Sequence, residues 1–255
     1  MLIEFDSGNR ATLRSLFDRY PCLHGVVAAV IEGGMGRVFA DAHEEPSVAL
    51  AVLDFHLLAG DPYHANAPLL FRQLQPGNTV IAPTPAWRQL LAAMYPGALT
   101  VYHREAFQAE QFDTDRLRAF CQALPGGFEL RQVRPEEVAQ FAADLDRALI
   151  YNFRSHEEFI TRGVGMGILH QGRFVSGASS AAVGGGKFEI EIQTRREFCR
   201  RGLARAVAAA LILHGLERGM EACWDAANEP SSALARQLGF HSTGKYEAYR
   251  LTEPV

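Results

Sequence analysis

The sequence predicts a mixed α/β (α+β) fold, and three observations in its second half predict it. Residues 188–193 alternate, with Ile190 and Ile192 on one face and Glu189, Glu191 and Gln193 on the other, which is the period of a half-buried strand. Residues 201–218 follow as a long stretch rich in apolar side chains and closed by Gly219, the pattern of a buried helix with a glycine stop. Residues 222–226 are again strand-like. A strand–helix–strand unit thus stands behind a run of short strands, so helices cover a mixed sheet.

Taken in order, residues 26–31 read as a buried strand closed by Glu32-Gly33-Gly34, with 35–40 as its hairpin partner. Residues 47–58 follow Pro46 with Val48, Ala51, Val52 and Phe55 at helical spacing, and a strand over 52–58 is the competing assignment. Residues 79–82 and 99–103 are strand-like. The intervening Pro85–Met94 opens on proline and precedes Pro96-Gly97, which marks a helix. Residues 113–123 form a short amphipathic helix capped by Asp113 or Thr114.

Pro125-Gly126-Gly127 is the expected linker. It divides the chain into a smaller N-terminal α/β domain, 1–125, and a second domain, 126–255. In the second, Phe128–Gln132 is a strand, 135–149 a helix with Glu136 and Glu137 in its first turn, and 158–162 a short helix. Residues 167–170 and 173–180 are strands joined at Gln171-Gly172, and Lys187–Thr194 is the next. Residues 230–238 are a helix ended by Gly239, and 240–251 supply one or two closing strands. No internal repeat is visible.

Composition narrows the function. With 48% hydrophobic and 21% charged residues, the chain has the material for a core and is not a disordered segment. A net charge of -4 argues against a nucleic-acid partner. Cys22, Cys121, Cys199 and Cys223 are widely spaced, so free thiols in a reducing cytoplasm are expected, with neither a disulfide framework nor a metal site. His56 and His64 lack a convincing metal spacing. No secretory signal and no run of about 18 apolar residues is present, so no membrane association is expected.

The chemistry concentrates after the alternating strand. A basic loop, 195–201, runs into Gly202 and the long helix. The first turn of a helix carries N–H groups without intrahelical partners and a positive dipole end, which suits a phosphate. Gly202 and Ala204 allow close approach, and Arg200 and Arg201 add charge. The loop alone is also consistent with a solvated basic turn. The GVGMG run at 163–167 is not a dinucleotide motif, because a strand and a tight turn follow it.

Residues 224–240, WDAANEPSSALARQLGF, extend the pattern. Arg200-Arg201-Gly202-Leu203-Ala204 resembles the acetyl-CoA pyrophosphate loop of GNAT superfamily acetyltransferases, and Asn228, Ser231 and the Leu-Gly-Phe at 238–240 resemble its next block. Val175 to Ser180, Glu189-Ile190-Glu191-Ile192 and Trp224-Asp225-Ala226-Ala227-Asn228 resemble a bacterial subgroup with a distinct N-terminal region. Gly36-Arg37-Val38-Phe39, Pro46 and Phe55 with Ala59-Gly60 resemble that region.

The resemblance implies a GNAT acyl-CoA N-acyltransferase fold in the C-terminal half and transfer of an acetyl group from acetyl-CoA to an amine-bearing small molecule or peptide. Ile192, Gln193 and Thr194 would give main-chain contacts to the pantetheine arm. The amides of Arg200, Arg201, Gly202, Leu203 and Ala204 would hold the pyrophosphate, with Asn228 and Ser231 beside the arm. The attacking nitrogen must lose a proton. Glu191 is the favoured general base and Glu189 the second candidate, against a structural role in which either pairs with an arginine.

Two departures stand out. Ala235 occupies the position where many members carry a tyrosine that protonates the leaving thiolate, which leaves Tyr246 and Tyr249 as substitutes from the final strands. Cys199 stands where the loop usually has Gln or Arg. The alternative to an enzyme is a non-catalytic acetyl-CoA sensor. The N-terminal domain is expected to be a degenerate GNAT-like half or a cover of the acceptor cleft. A monomer or homodimer is expected.

Overall fold

The computed structural model describes residues 1–18 and 20–253. Strand-forming runs bounded by glycine and turn residues assemble into one twelve-stranded sheet. In chain order the N-terminal elements are β1 (Ile3–Glu4), α1 (Arg14–Phe17), α2 (His24–Ile31), β2 (Arg37–Ala40), β3 (Val48–Val52), β4 (Phe55–Gly60), α3 (Ala67–Leu70), β5 (Thr79–Ile81), α4 (Pro85–Met94) and β6 (Leu99–Gln108). Helix α5 (Thr114–Gln122) leads to β7 (Phe128–Gln132), α6 (Val138–Asp144), α7 (His156–Arg162), β8 (Gly165–His170), β9 (Arg173–Gly184) and β10 (Lys187–Thr194). The chain ends with α8 (Leu203–Leu216), β11 (Glu221–Ala226), α9 (Glu229–Leu238) and β12 (His241–Leu251).

The strand order is β1-β2-β3-β4-β5-β12-β6-β11-β10-β9-β8-β7. Exchanging each strand with the one six places away and reading the order backwards returns the same order. The pairing senses obey the same exchange: β4–β5 and β10–β11 are both parallel, and every other neighbouring pair is antiparallel. The chain therefore contains a structural repeat that its sequence does not display. Strand order and sense need only the hydrophobic pattern, so residue identity has been free to diverge. Strand β6 lies between β11 and β12, and β12 reaches β5 on its other edge, so the sheet has no break at residues 125–126.

Two sequence expectations are corrected. Residues 26–31 are not a strand but most of α2. Their unbroken apolar run reflects a helix buried nearly all round, which periodicity alone does not separate from a central strand. Gly25 and Gly33 let α2 lie against the sheet: a Cβ on Gly33 would stand 2.7 Å from Ala29 O and 2.8 Å from Gly184 Cα. Arg10 fastens the far end of α2, donating to the carbonyls of Val30, Met35 and Gly36 at 2.6, 2.7 and 2.9 Å. Residues 47–58 are not a helix but β3 and most of β4, joined by a tight turn at Leu53-Asp54. Val48 to Ala51 are all fully buried, so this central strand lacks alternation.

The expected helix 135–149 is interrupted. Two short 3₁₀ turns flank α6, because Asp146 turns the chain and accepts from Ala148 N at 2.8 Å. The closing segment is one strand, β12, with a bulge between Ser242 and Gly244.

Candidate active site

Strands β10 and β11 pair only at Lys187–Glu189 against Glu221–Cys223. Beyond that point β11 continues along β6, while β10 stays with β9 across a register shift at Glu189/Ile190. A gap opens between the two strands. Ile192, Gln193 and Thr194 lie on the edge of β10 that faces this gap, each half-buried. The edge has no strand partner among the described residues.

The gap leads to the basic loop. Arg200 and Gly202 both have left-handed backbone, φ 60° and 79°, and Gly202 starts α8 with no side-chain cap. The first amides of this fourteen-residue helix are therefore open to an anion. A Cβ on Gly202 would meet only Arg205 Nη2, at 3.8 Å, so the space above the turn is clear. A cavity of about 450 Å³ lies here, lined by Thr194, Arg200, Gly202, Leu203 and Ala204 with Pro230 and Leu234 of α9. Five of the residues singled out from sequence thus come together.

Arg201 turns aside. Its guanidinium stacks 5.3 Å over the Phe198 ring and donates to Glu197 O at 3.4 Å. Asn228 caps α9, accepting from Ser231 N at 3.0 Å, and Ser231 Oγ accepts the indole N–H of Trp224 at 3.2 Å. These two residues fix the start of α9 beside the cavity. Cys199 is exposed, its Sγ 3.5 Å from Arg195 O.

On the other face of β10 stand the carboxylates. Glu189 is nine-tenths buried, under Gly25 of α2, where a Cβ would approach its Oε2 to 2.5 Å. Burial first, then Asp225 and Asp54, push its carboxyl well above the usual range. Glu191 is half-buried, accepts from Gln193 Nε2 at 3.2 Å, and is pushed up by burial and then by Asp54. Neither carboxylate forms an ion pair among the described residues, although Arg104 lowers both from a distance.

The arginine of this region, Arg104 on β6, pairs instead with Asp225 on β11 and lies 4.9 Å over the Phe55 ring. Tyr246 donates to the second oxygen of Asp225 at 2.6 Å. Asp54, in the β3–β4 turn, is raised to about 6 by the protein crowded around its carboxyl, although the residue stays open to solvent. Sequence reasoning missed Arg104, Asp54 and Asp225 as site residues. The one signal was Asp225, an acid inside the apolar run Ala222 to Ala226. Arg104 and Asp54 come from the N-terminal half, whose contribution only the sheet order reveals.

Tyr249 does not join this cluster. Three residues from Tyr246 on the same strand, it faces the opposite side, packs in the core around Trp87 and donates to Glu247 at 2.5 Å. Ala235 is fully buried against α8, and no hydroxyl takes its place on α9 at that point.

The repeat allows the two halves to be compared. Thr84 caps α4 as Asn228 caps α9, so Trp87 occupies the place of Ser231. Trp87 is fully buried and its indole donates to Gly60 O, the end of β4, at 3.0 Å. The helix between β4 and β5 is a single turn, α3. In the N-terminal half an indole thus packs at the end of β4, and the counterpart of α8 is reduced to that single turn.

Glu189 yields a pH prediction. A carboxyl raised in the folded state gives stability that is complete below its unfolded pKa, near 4.3, and is lost as pH rises through the folded value. Glutamine at 189 stays neutral. The melting temperature of Glu189→Gln is expected to gain on wild type steadily as pH rises from about 5 to 8; a pH-independent difference would show that the carboxyl is not held neutral.

The model of the GNAT acetyltransferase family matches residues 16–249. The chain is 25% identical over 260 residues to the uncharacterized N-acetyltransferase YdfB of Bacillus subtilis, covering 98% of each. It superposes on the crystal structure of a GCN5-related N-acetyltransferase-like protein from Streptococcus suis with a TM-score of 0.85 and 30% identity, over 97% of this chain and 100% of that one. A tandem GNAT protein of the clavulanic acid biosynthesis pathway shares the fold, with a TM-score of 0.58 at 14% identity over 98% of this chain and 97% of that one. The chain belongs to the GNAT acetyltransferase family and is an N-acetyltransferase. No helix among the described residues is long and apolar enough to cross a membrane.

Proposed function

We propose that the protein moves an acetyl group from acetyl-CoA to an amine by direct attack, with Glu191 as general base. The gap between β10 and β11 carries this reading. It opens where β10 and β11 part, on the free edge of β10 that runs to Thr194 and the open α8 N-terminus. The residues suit the co-substrate: amides and Arg200 for the pyrophosphate, an unpaired strand edge for the amide-bearing arm, and Pro230 and Leu234 for apolar contact.

Acetyl-CoA supplies an activated thioester. The acceptor nitrogen arrives as an ammonium and loses a proton to Glu191, directly or through a water. Nitrogen then bonds to the acetyl carbon as the carbon–sulfur bond breaks, sulfur leaves with the electron pair, and the second proton of the nitrogen passes to the thiolate through solvent. A thiolate leaves without a dedicated acid, since thiol pKa values lie near 8.5. The Tyr246 proton is engaged by Asp225, and we assign Tyr246 to holding that carboxylate. We further assign 1–125 the role of a degenerate GNAT-like half that walls the acceptor side, since Asp54, Arg104 and α2 all border the carboxylates.

Thermal unfolding tests the reading. Acetyl-CoA at 100 times its dissociation constant stabilises the native state by about 2.7 kcal/mol, a rise of about 5–10 °C for a chain this long. Gly202→Glu, which places a side chain and a negative charge over the turn, is expected to abolish the rise, and Arg200→Ala to reduce it. No rise with acetyl-CoA, CoA or longer acyl-CoAs would sink the proposal.

A further inference from the structure

We infer that a second site, at the seam of the two halves, binds a free α-amino acid, with its carboxylate on Arg10 and its ammonium on Asn152 and Asp6. The site is separate from the cleft described above, and the acetyl-transfer reading does not depend on it.

A cavity of about 590 Å³ lies between β1, the turn Gly34 to Gly36 and the segment that leads into α7. No residue of β10 or of the 200–204 turn lines it. It sits at the end of α2 remote from Gly25 and Glu189, where Arg10 fastens the last turn.

The first ground is Arg10, which is 4% exposed. Of the five N–H donors of a guanidinium, three are taken: Nη1 donates to the carbonyls of Val30 and Met35, and Nη2 to that of Gly36. What remains is the Nε–H, buried with no partner, and one N–H of Nη2. These two nitrogens share one edge of the guanidinium, the fork that matches the two oxygens of a carboxylate. All three present acceptors are neutral, and Glu4 and Asp6 act on Arg10 only from a distance. A buried charge without a counter-charge is costly, and a bound carboxylate supplies one.

The second ground is Asn152, which comes from the other half. Its Oδ1 is likewise buried without a donor. Of the five side-chain atoms buried without a partner among the described residues, two thus belong to residues that line this one cavity. One lacks an acceptor and the other lacks a donor, so a ligand that completes both carries one of each.

The third ground is charge balance. At the rim Arg37 donates to both oxygens of Glu4 at 2.7 and 2.8 Å, and Arg154 to both oxygens of Glu158 at 3.1 and 3.0 Å. These pairs satisfy each other. The lining then has one cation left, Arg10, and one anion, Asp6. An occupant with one negative and one positive group leaves no charge over. A simple carboxylate would leave Asn152 and Asp6 without a donor, and a simple amine would leave Arg10 without an acceptor. An α-amino acid carries both groups on a single carbon, and Phe5 and Met35 offer its side chain apolar contact.

The test is equilibrium titration of the protein with each protein amino acid in turn, then with the parent acid and the parent amine of the tightest binder (for leucine, 4-methylpentanoate and 3-methylbutylamine). At least one amino acid is expected to bind, and each one-headed analogue to bind at least ~10-fold more weakly. Replacing Arg10 would also free the end of α2, so the deciding variant is Asn152→Leu, which removes the acceptor at similar volume. It should weaken binding ~10-fold or more. Asp6→Asn, at an exposed position, should act in the same direction. Binding of none of the amino acids would overturn the inference. So would an analogue that binds as tightly as its parent, or wild-type affinity in both variants. Failure of acetyl-CoA to stabilise the wild-type protein would sink the acetyl-transfer reading and leave this site standing.

Discussion

Glu191→Gln is expected to lower kcat by about 10²–10⁴-fold, the usual contribution of a positioned general base, while the stabilisation by acetyl-CoA persists. Glutamine keeps the length and shape of the side chain and its contact with Gln193, so the strand edge and the α8 turn should be undisturbed. What it removes is the basic carboxylate that takes the proton. The wild-type pH profile should carry the same signature. A base works only when deprotonated, so kcat/KM is expected to fall as pH drops through the Glu191 value. Burial and Asp54 raise that value, so the acid limb should lie above the ordinary glutamate range near 4.3. Glu191→Gln should abolish the limb along with most of the rate. Full activity in Glu191→Gln would move the base to Glu189 or to a water held elsewhere, and loss of acetyl-CoA stabilisation would mean that the substitution had damaged the cleft.

The C-terminal half was the legible half. Strand β10 shows its period of two, α8 its glycine-bounded length, and the loop between them its arginines, so the cleft proposed for the co-substrate was visible in local pattern alone. Residues Thr194, Arg200, Gly202, Leu203 and Ala204 were named from sequence and line one cavity. The misreadings fell where burial is complete. Helix α2 and strand β3 are apolar on all sides, and a run with no exposed face carries no period to read. The polar cluster behind β10, apart from Tyr246, was illegible for a different reason. Asp54, Arg104, Asp225 and Tyr246 lie on four separate segments, brought together because β6 and β12 each cross into the other half of the sheet. Nothing local to Arg104 signals that Asp225, 121 residues later, will face it.

That crossing point should dominate stability. Arg104 and Asp225 form an ion pair whose side chains are 14% and 3% exposed, between a strand of each half. Asp225→Ala would leave a guanidinium buried without its partner and the Tyr246 hydroxyl without its acceptor. The expected loss is about 3–5 kcal/mol, or roughly 10 °C or more in the melting temperature. The cost comes from the orphaned charge and not from the pair as such. Replacing both partners by apolar residues of similar volume, Arg104→Met with Asp225→Leu, is therefore expected to recover most of the loss. If the double variant melts as low as Asp225→Ala, the pair itself, and not its desolvation, sets the stability of the crossing. The double variant also has a kinetic consequence of definite sign. Arg104 lowers the Glu191 carboxyl, whereas Asp225 is not among the main influences on it. Removing both should raise Glu191 further, so the acid limb of kcat/KM is expected to move to higher pH even where the fold is restored.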